Sequence, residues 1–387
     1  MAATLLLMAL LAPLIQALLA ALITRPAGLR DVIVVMTSAT QAGAAFGLVA
    51  ASLHGESARI VLAEPLPGVY LAFAADPMGV LFGAFVSALG AANALYAIGF
   101  LRAAKTAAPW RTQSLIACAI AATMGVAYAA NLLTFFLLSE ALTIAAFALI
   151  ALSGAERARR AALVILATLT TASFALLLPA IVWTTALAGG QDFKPGGLLP
   201  EGLDPLVANT LFGLFMLGLA KTALMPTHAL ATAAAAAPAP IAATLTAICA
   251  LSVGGFGAVR VALNVFGPAL AEADIARLAV AGLAGVSAVL GALIAQLTLT
   301  LSLGAAMLAT GRVQVGEMDG LGRAMPWVFA AFTCGAISLI GAPPLAGAWS
   351  KLWLFATAGE AGAYWAMGVI GAASLLTLAA LAPLTAR

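Results

Sequence analysis

The sequence predicts an all-α polytopic membrane protein with about 11–12 transmembrane helices. Three observations carry this prediction. First, 64% of the residues are hydrophobic and only 8% are charged, with a mean hydropathy of +1.13, whereas a soluble domain carries roughly 25% charged residues. Second, charge-free apolar runs of the ~20 residues that a bilayer demands recur along the whole chain. Third, the short loops between those runs alternate in the sign of their charge.

Taken in order, the apolar runs place spans near 4–24, 31–53, 77–101, 112–130, 132–153, 161–187, 206–224 and 241–265. Two more fall near 276–296 and 297–311, the second of them short and either separate from the first or merged with it. A last pair lies near 327–356 and 362–384. The first run is long for a signal-peptide core and lacks a basic segment before it, so a retained helix is expected. Between the second and third spans, 54–76 mixes β-branched residues with Pro65, Pro67 and Gly68, the composition of a short extramembrane β-hairpin.

Loop charge orients the chain. The loops 25–31, 102–111 and 156–160 carry net +1, +3 and +2, while 54–76 and 188–205 each carry −2. With the basic loops cytoplasmic, the N-terminus lies outside. The expected location is the bacterial cytoplasmic (inner) membrane, with the lipid bilayer as the constant partner.

Two spans are interrupted. In 211–245, LFGLFMLGLAKTALMPTHALATAAAAAPAPIAATL, an apolar run meets Lys221, then Pro226 and His228, then Pro238 and Pro240. Proline removes a backbone donor and clashes with the preceding turn. Irregular backbone at membrane depth is tolerated only under protein or water. Lys221 beside such a break is either the ionisable group of a polar path or a lysine reaching from a span end to the interface. His228 is either a structural histidine or a proton relay. The second interruption is Pro343-Pro344, followed by Lys351, which is either a snorkelling lysine or the exit group of a polar path.

Glu140 stands mid-span in NLLTFFLLSEALTIAAFALI. A carboxylate there is costly unless paired or protonated. Lys221 offers a partner of opposite sign, and separating such a pair lets burial favour loss of the lysine's proton; the bland alternative is a neutral, hydrogen-bonded glutamate tying helices together. Arg260 reads as a structural anchor near a span end. Cys118, Cys249 and Cys334 lie in apolar runs without metal-like spacing and read as small core residues. With two histidines and no cysteine cluster, neither a cofactor nor a metal is expected, and no basic run suggests nucleic acid.

Four segments, in order, resemble the antiporter-like membrane subunits of respiratory complex I, membrane-bound hydrogenases and multi-subunit Na+/H+ antiporters. They are FAADPMGVLFGAFVSALGAANALYAIGFL, NLLTFFLLSEALTIAAFALIALSG, GLAKTALMPTHALATAAAAAPAPIAATL and DGLGRAMPWVFAAFTCGAISLIGAPPLAGAWSK, and the resemblance runs from about Ala74 to Leu354. It implies one transmembrane domain over 1–387, built from two inverted repeats that each contain a broken helix. The first repeat would span about 112–265 and a shortened second one about 266–384. It also implies a proton path from Glu140 and Lys221, through a central region, to Lys351. The chain departs from the family in that centre, with Thr246 and Ser252 where a histidine and a lysine are usual, and Ser302 at a further lysine place.

Two functions follow from the resemblance. One is a subunit that moves protons, or exchanges H+ with a cation, along Glu140, Lys221, His228, Thr246, Ser252 and Lys351. It would work inside a hetero-oligomeric complex with homologous antiporter-like subunits or a peripheral catalytic partner, as in an NADH:quinone oxidoreductase-like or hydrogenase-like translocase. The other is an anchoring subunit of the same fold whose ion path is lost or altered, supporting a redox or inorganic-carbon-uptake partner. On either reading the chain is not catalytic by itself.

Overall fold

A computed structural model describes residues 1–66, 69–152, 156–200, 202–219, 237–267, 295–311, 320–360, 362 and 364–385. The chain forms two compact units, Met1–Gly267 and Pro268–Arg387. Among the described residues six helices are long and apolar enough to cross a membrane, and four more are apolar but shorter. Together with one β-hairpin they make the polytopic helical fold the composition predicts.

In the first unit α1 (Ala2–Leu22), α2 (Ala27–Leu53), α3 (Pro77–Ala103), α4 (Pro109–Ala127) and α5 (Leu132–Ala151) follow one another with short connections, except that a β-hairpin segment separates α2 from α3. Next come α6 (Glu156–Ala172) and α7 (Leu178–Ala188), joined through a π turn at Ser173–Leu177. The unit closes with α8 (Pro205–Gly218) and α9 (Ala239–Phe266). Helix starts carry their own signals. Asp76 caps α3 by accepting from Gly79 N, with Pro77 in the first turn. Asn131 caps α5 by accepting from Thr134 N at 2.7 Å, and Asp204 caps α8. Gly189 ends α7 at φ +65°, a conformation that only glycine adopts cheaply.

The hairpin expected at 54–76 is present as β1 (Arg59–Leu66) against β2 (Val69–Ala74), antiparallel. It is tied into the end of the bundle. Ala74 N donates to Tyr128 O and Ala130 N to Ala72 O, so the α4–α5 turn runs alongside β2. Phe193 N then donates to Ala130 O, and Arg59 pairs with Asp192 at 2.7 Å. The acidic segments 54–76 and 188–205 therefore share one end of this unit. The basic segments 25–31 and 102–111 share the other, where Arg102 pairs with Asp31 and Gln113 Nε2 donates to Asp31 at 3.2 Å. Sequence reading places Arg30 and Asp31 in a loop, but α2 begins at Ala27, directly after Pro26, and both side chains are buried in it.

In the second unit α10 (Ala295–Thr310) precedes a helical turn at Leu321–Ala324. Then α11 (Pro326–Ile340), α12 (Ala346–Glu360) and α13 (Tyr364–Thr385) follow. The expected boundary between spans at 296 and 297 falls inside α10, so no break separates those residues. The rest of the 276–296 span, and 220–224 of the 206–224 span, lie outside the described residues. Of the cysteines, Cys249 is buried as expected, whereas Cys334 is exposed on α11 and is no core residue.

Candidate functional site

The break in 327–356 shows how sequence positions a charged side chain between helices. α11 ends at Ile340, and Gly341 adopts φ +89°. Gly341 N and Ala342 N donate back to Ile337 O. The next two carbonyls, Leu339 O and Ile340 O, would take their helical partners from residues 343 and 344, but both are proline and have no N–H. Lys351, one turn into α12, fills that gap. Its Nζ donates to Leu339 O at 2.9 Å and to Ile340 O at 2.8 Å. The third N–H goes to Ser374 Oγ on α13 at 2.8 Å. An ammonium has three donors and no acceptor, so all three are used. The carbonyl end of a helix favours a cation.

Two glycines make room for this arrangement. A Cβ on Gly341 would stand 2.5 Å from Lys351 Cδ, in a backbone conformation that side chains rarely adopt. A Cβ on Gly347 would collide with Ser338 O, so the two half-helices meet backbone to backbone. Lys351 Nζ is thus hydrogen-bonded to α11 and α13.

In the first unit Glu140 is partly buried on α5. One turn earlier, α5 meets α9: a Cβ on Gly257 would stand 2.7 Å from Phe135 Cζ and 3.0 Å from Leu219 Cδ2. α9 therefore packs at this point against α5 and against Leu219, which follows α8. Lys221 and His228 themselves lie outside the described residues.

Thr246 and Ser252 are both buried on α9. Thr246 Oγ1 donates to Ala242 O at 2.7 Å. Ser252 Oγ lies 2.6 Å from Ile248 O and 2.8 Å from Cys249 O and donates to this pair of carbonyls. Ser302 does the same on α10, lying 2.6 Å from Thr298 O. Each hydroxyl proton is spent on its own helix, while the lone pairs stay available to accept from water. Thr246 also sits within a π turn, Thr244–Ile248, where Cys249 N donates five residues back to Thr244 O at 2.8 Å.

Beside this turn stands a residue that sequence reading missed. Asn93 on α3 is fully buried; its Nδ2 donates to Pro240 O at 3.1 Å and to Thr244 Oγ1 at 2.9 Å. Pro240 O can only accept, which fixes the orientation of the amide. Asn93 Oδ1 has no hydrogen-bond donor among the described residues, and a buried amide oxygen of this kind suits an ordered water. The signal was available, because an asparagine in the apolar run GAANALYAIGFL is costly without partners.

Arg260 is the anchor its sequence context predicts. Its side chain is 2% exposed and pairs with Asp76 Oδ1 at 2.7 Å. It donates to Ala127 O and Ala129 O, each at 2.9 Å, which are carbonyls at the C-terminal end of α4. Its guanidinium also lies over the Phe193 ring, 4.6 Å from the centroid. One side chain on α9 therefore holds the cap of α3, the end of α4 and the 188–205 loop. Among the described residues no group of three His, Cys, Asp or Glu side chains is placed to hold a metal.

Comparison with known proteins places this geometry. A family profile described as "NADH:quinone oxidoreductase/Mrp antiporter, TM" matches residues 129–302 and 296–377. NADH-quinone oxidoreductase subunit N of Desulforudis audaxviator is 28% identical over 395 residues, covering 90% of this chain and 78% of that protein. Among solved structures, a chain of the Mrp complex from Dietzia sp. superposes with TM-score 0.80 at 22% identity, over 99% of this chain and 79% of that one. A chain of the membrane-bound sulfane sulfur reductase, an archaeal respiratory membrane complex, gives TM-score 0.81 at 20% identity, over 96% and 85%. At these identities the two structures show a shared fold.

Proposed function

Because the chain belongs to the NADH:quinone oxidoreductase/Mrp antiporter transmembrane family, we propose that it is a proton-moving subunit of a multi-subunit membrane complex. It transports H+, or exchanges H+ for a cation, along a polar path from Glu140 and Lys221, past His228, Thr246 and Ser252, to Lys351. The observation that carries this reading is Lys351. A membrane-depth ammonium folded onto two carbonyls left bare by Pro343 and Pro344 holds a movable proton at a helix break. Unpaired, such a charge would be expelled from the membrane. The two-repeat organisation, about 112–265 and 266–384, and an orientation with the N-terminus outside the bacterial cytoplasmic membrane belong to the same proposal. So do partners drawn from homologous membrane subunits or a peripheral catalytic subunit.

A second reading, an anchoring subunit of the same fold with an altered path, is favoured by one observation. Thr246, Ser252 and Ser302 direct their protons to their own helices, and none is a group that titrates near neutral pH. The two readings separate at the Glu140–Lys221 pair. Glu140→Gln and Lys221→Met should each impair proton flux in vesicles holding the assembled complex. The double variant should lose less than the sum, since neither partner is then left buried alone. Strictly additive losses would count against the pair, and unchanged flux in all three would favour the anchoring role.

A further inference from the structure

We propose that Ser374 is the residue through which Lys351 exchanges its proton; this rests on the reading of Lys351 as part of the path. Lys351 Nζ has three partners, and they are chemically unequal. Leu339 O and Ile340 O are carbonyls that only accept, and the prolines at 343 and 344 leave them no helical donor. Withdrawing an N–H from either would leave that carbonyl without a donor. Ser374 Oγ is different, because a hydroxyl both accepts and donates. Facing the ammonium it accepts, as the 2.8 Å contact shows. Facing a neutral amine it turns its own O–H toward the Nζ lone pair, while the two remaining N–H groups stay on the carbonyls. Ser374 alone among the three partners satisfies Lys351 in both protonation states.

The proton that leaves is therefore the one on the Ser374 side. The N–H bond to that proton breaks as a new O–H bond forms on Ser374, and the original Ser374 proton passes to a water molecule. Lysine ammonium, serine and water become neutral lysine, serine and hydronium, with the positive charge conserved. Reversal reloads the lysine. Neither carbonyl loses its donor at any stage, so the half-helix end stays capped while the charge moves. Gly341 supports the geometry, since a side chain there would push on Lys351 Cδ and turn Nζ away from its partners.

The test is proton flux by the assembled complex in proteoliposomes, with assembly checked for every variant. Ser374→Ala should slow flux about tenfold or more, the lower range of what a positioned proton-transfer group supplies. Ser374→Thr, which keeps the hydroxyl, should restore it to within about twofold of the original rate. Equal slowing by alanine and threonine would reveal a packing role and overturn the proposal. Full flux in Ser374→Ala, with Lys351→Met inactive, would also overturn it while leaving the path through Lys351 intact. Full flux in Lys351→Met would remove the path reading and this inference together. Should Ser374→Ala fail to assemble, Ser374→Cys takes its place. Its thiol fits the site but donates and accepts weakly, so flux equal to that of the serine protein would overturn the proposal.

Discussion

Replacing Arg260 by methionine should abolish accumulation of the assembled subunit. The guanidinium is buried and has three partners from elements far apart in sequence: Asp76 Oδ1, Ala127 O and Ala129 O. Methionine fills much of the volume but supplies no donor. Asp76 would then keep a carboxylate without its counter-charge at the cap of α3, and two carbonyls at the end of α4 would lose their partners. Breaking a fully buried ion pair from one side costs about 3–5 kcal/mol; with Asp76 29% exposed, the lower end of that range applies, still a large part of the total stability of a typical domain. Arg260→Lys should rescue only in part, because an ammonium lacks the planar fork that reaches a carboxylate and two carbonyls together. Yield of folded protein in detergent, measured by size-exclusion chromatography, checks this. Normal yield of Arg260→Met would show that the three elements are held by other contacts.

The largest functional effect outside the charged groups should come from Thr246→Val combined with Ser252→Ala. Proton flux in vesicles should fall to the leak rate while the complex remains assembled. Stability should change little. Each hydroxyl proton serves a carbonyl of its own helix, and a net hydrogen bond of that kind contributes only about 1 kcal/mol. What disappears is the capacity of two buried side chains to accept from water. Apolar side chains in those two places disfavour water. Thr246→His with Ser252→Lys should keep flux or raise it. A silent apolar double variant would remove these hydroxyls from the path and move the balance to the anchoring reading.

Much of the fold was legible because it depends on chemistry that acts locally. Pro343 and Pro344 announce a break since neither has an N–H. The hairpin shows in its β-branched residues and prolines. Lys351 and Glu140 were visible as charges in apolar runs, and Arg260 as a charge near a span end. Their partners were not visible, because packing brings them together across long separations. Nothing in the sequence joins Lys351 to Ser374, or Arg260 to Ala127 and Asp76. Asp31 was misplaced for the same reason: beside Arg30 it reads as loop charge, yet Arg102 and Gln113, distant in the chain, draw it inside. The directions of the Thr246 and Ser252 hydroxyls depend on helix geometry, which residue identity alone does not reveal.

On the proposed function, protons cross the membrane through this subunit by way of Lys351. The most direct measurement is proton flux into vesicles containing the purified complex, driven by its own partner reaction or an imposed cation gradient, for the natural sequence and for Lys351→Met. The natural complex should show flux, and an equally assembled Lys351→Met complex should show flux only at the leak rate. Equal flux from both, or none from a natural complex whose partner reaction runs at full rate, would contradict it.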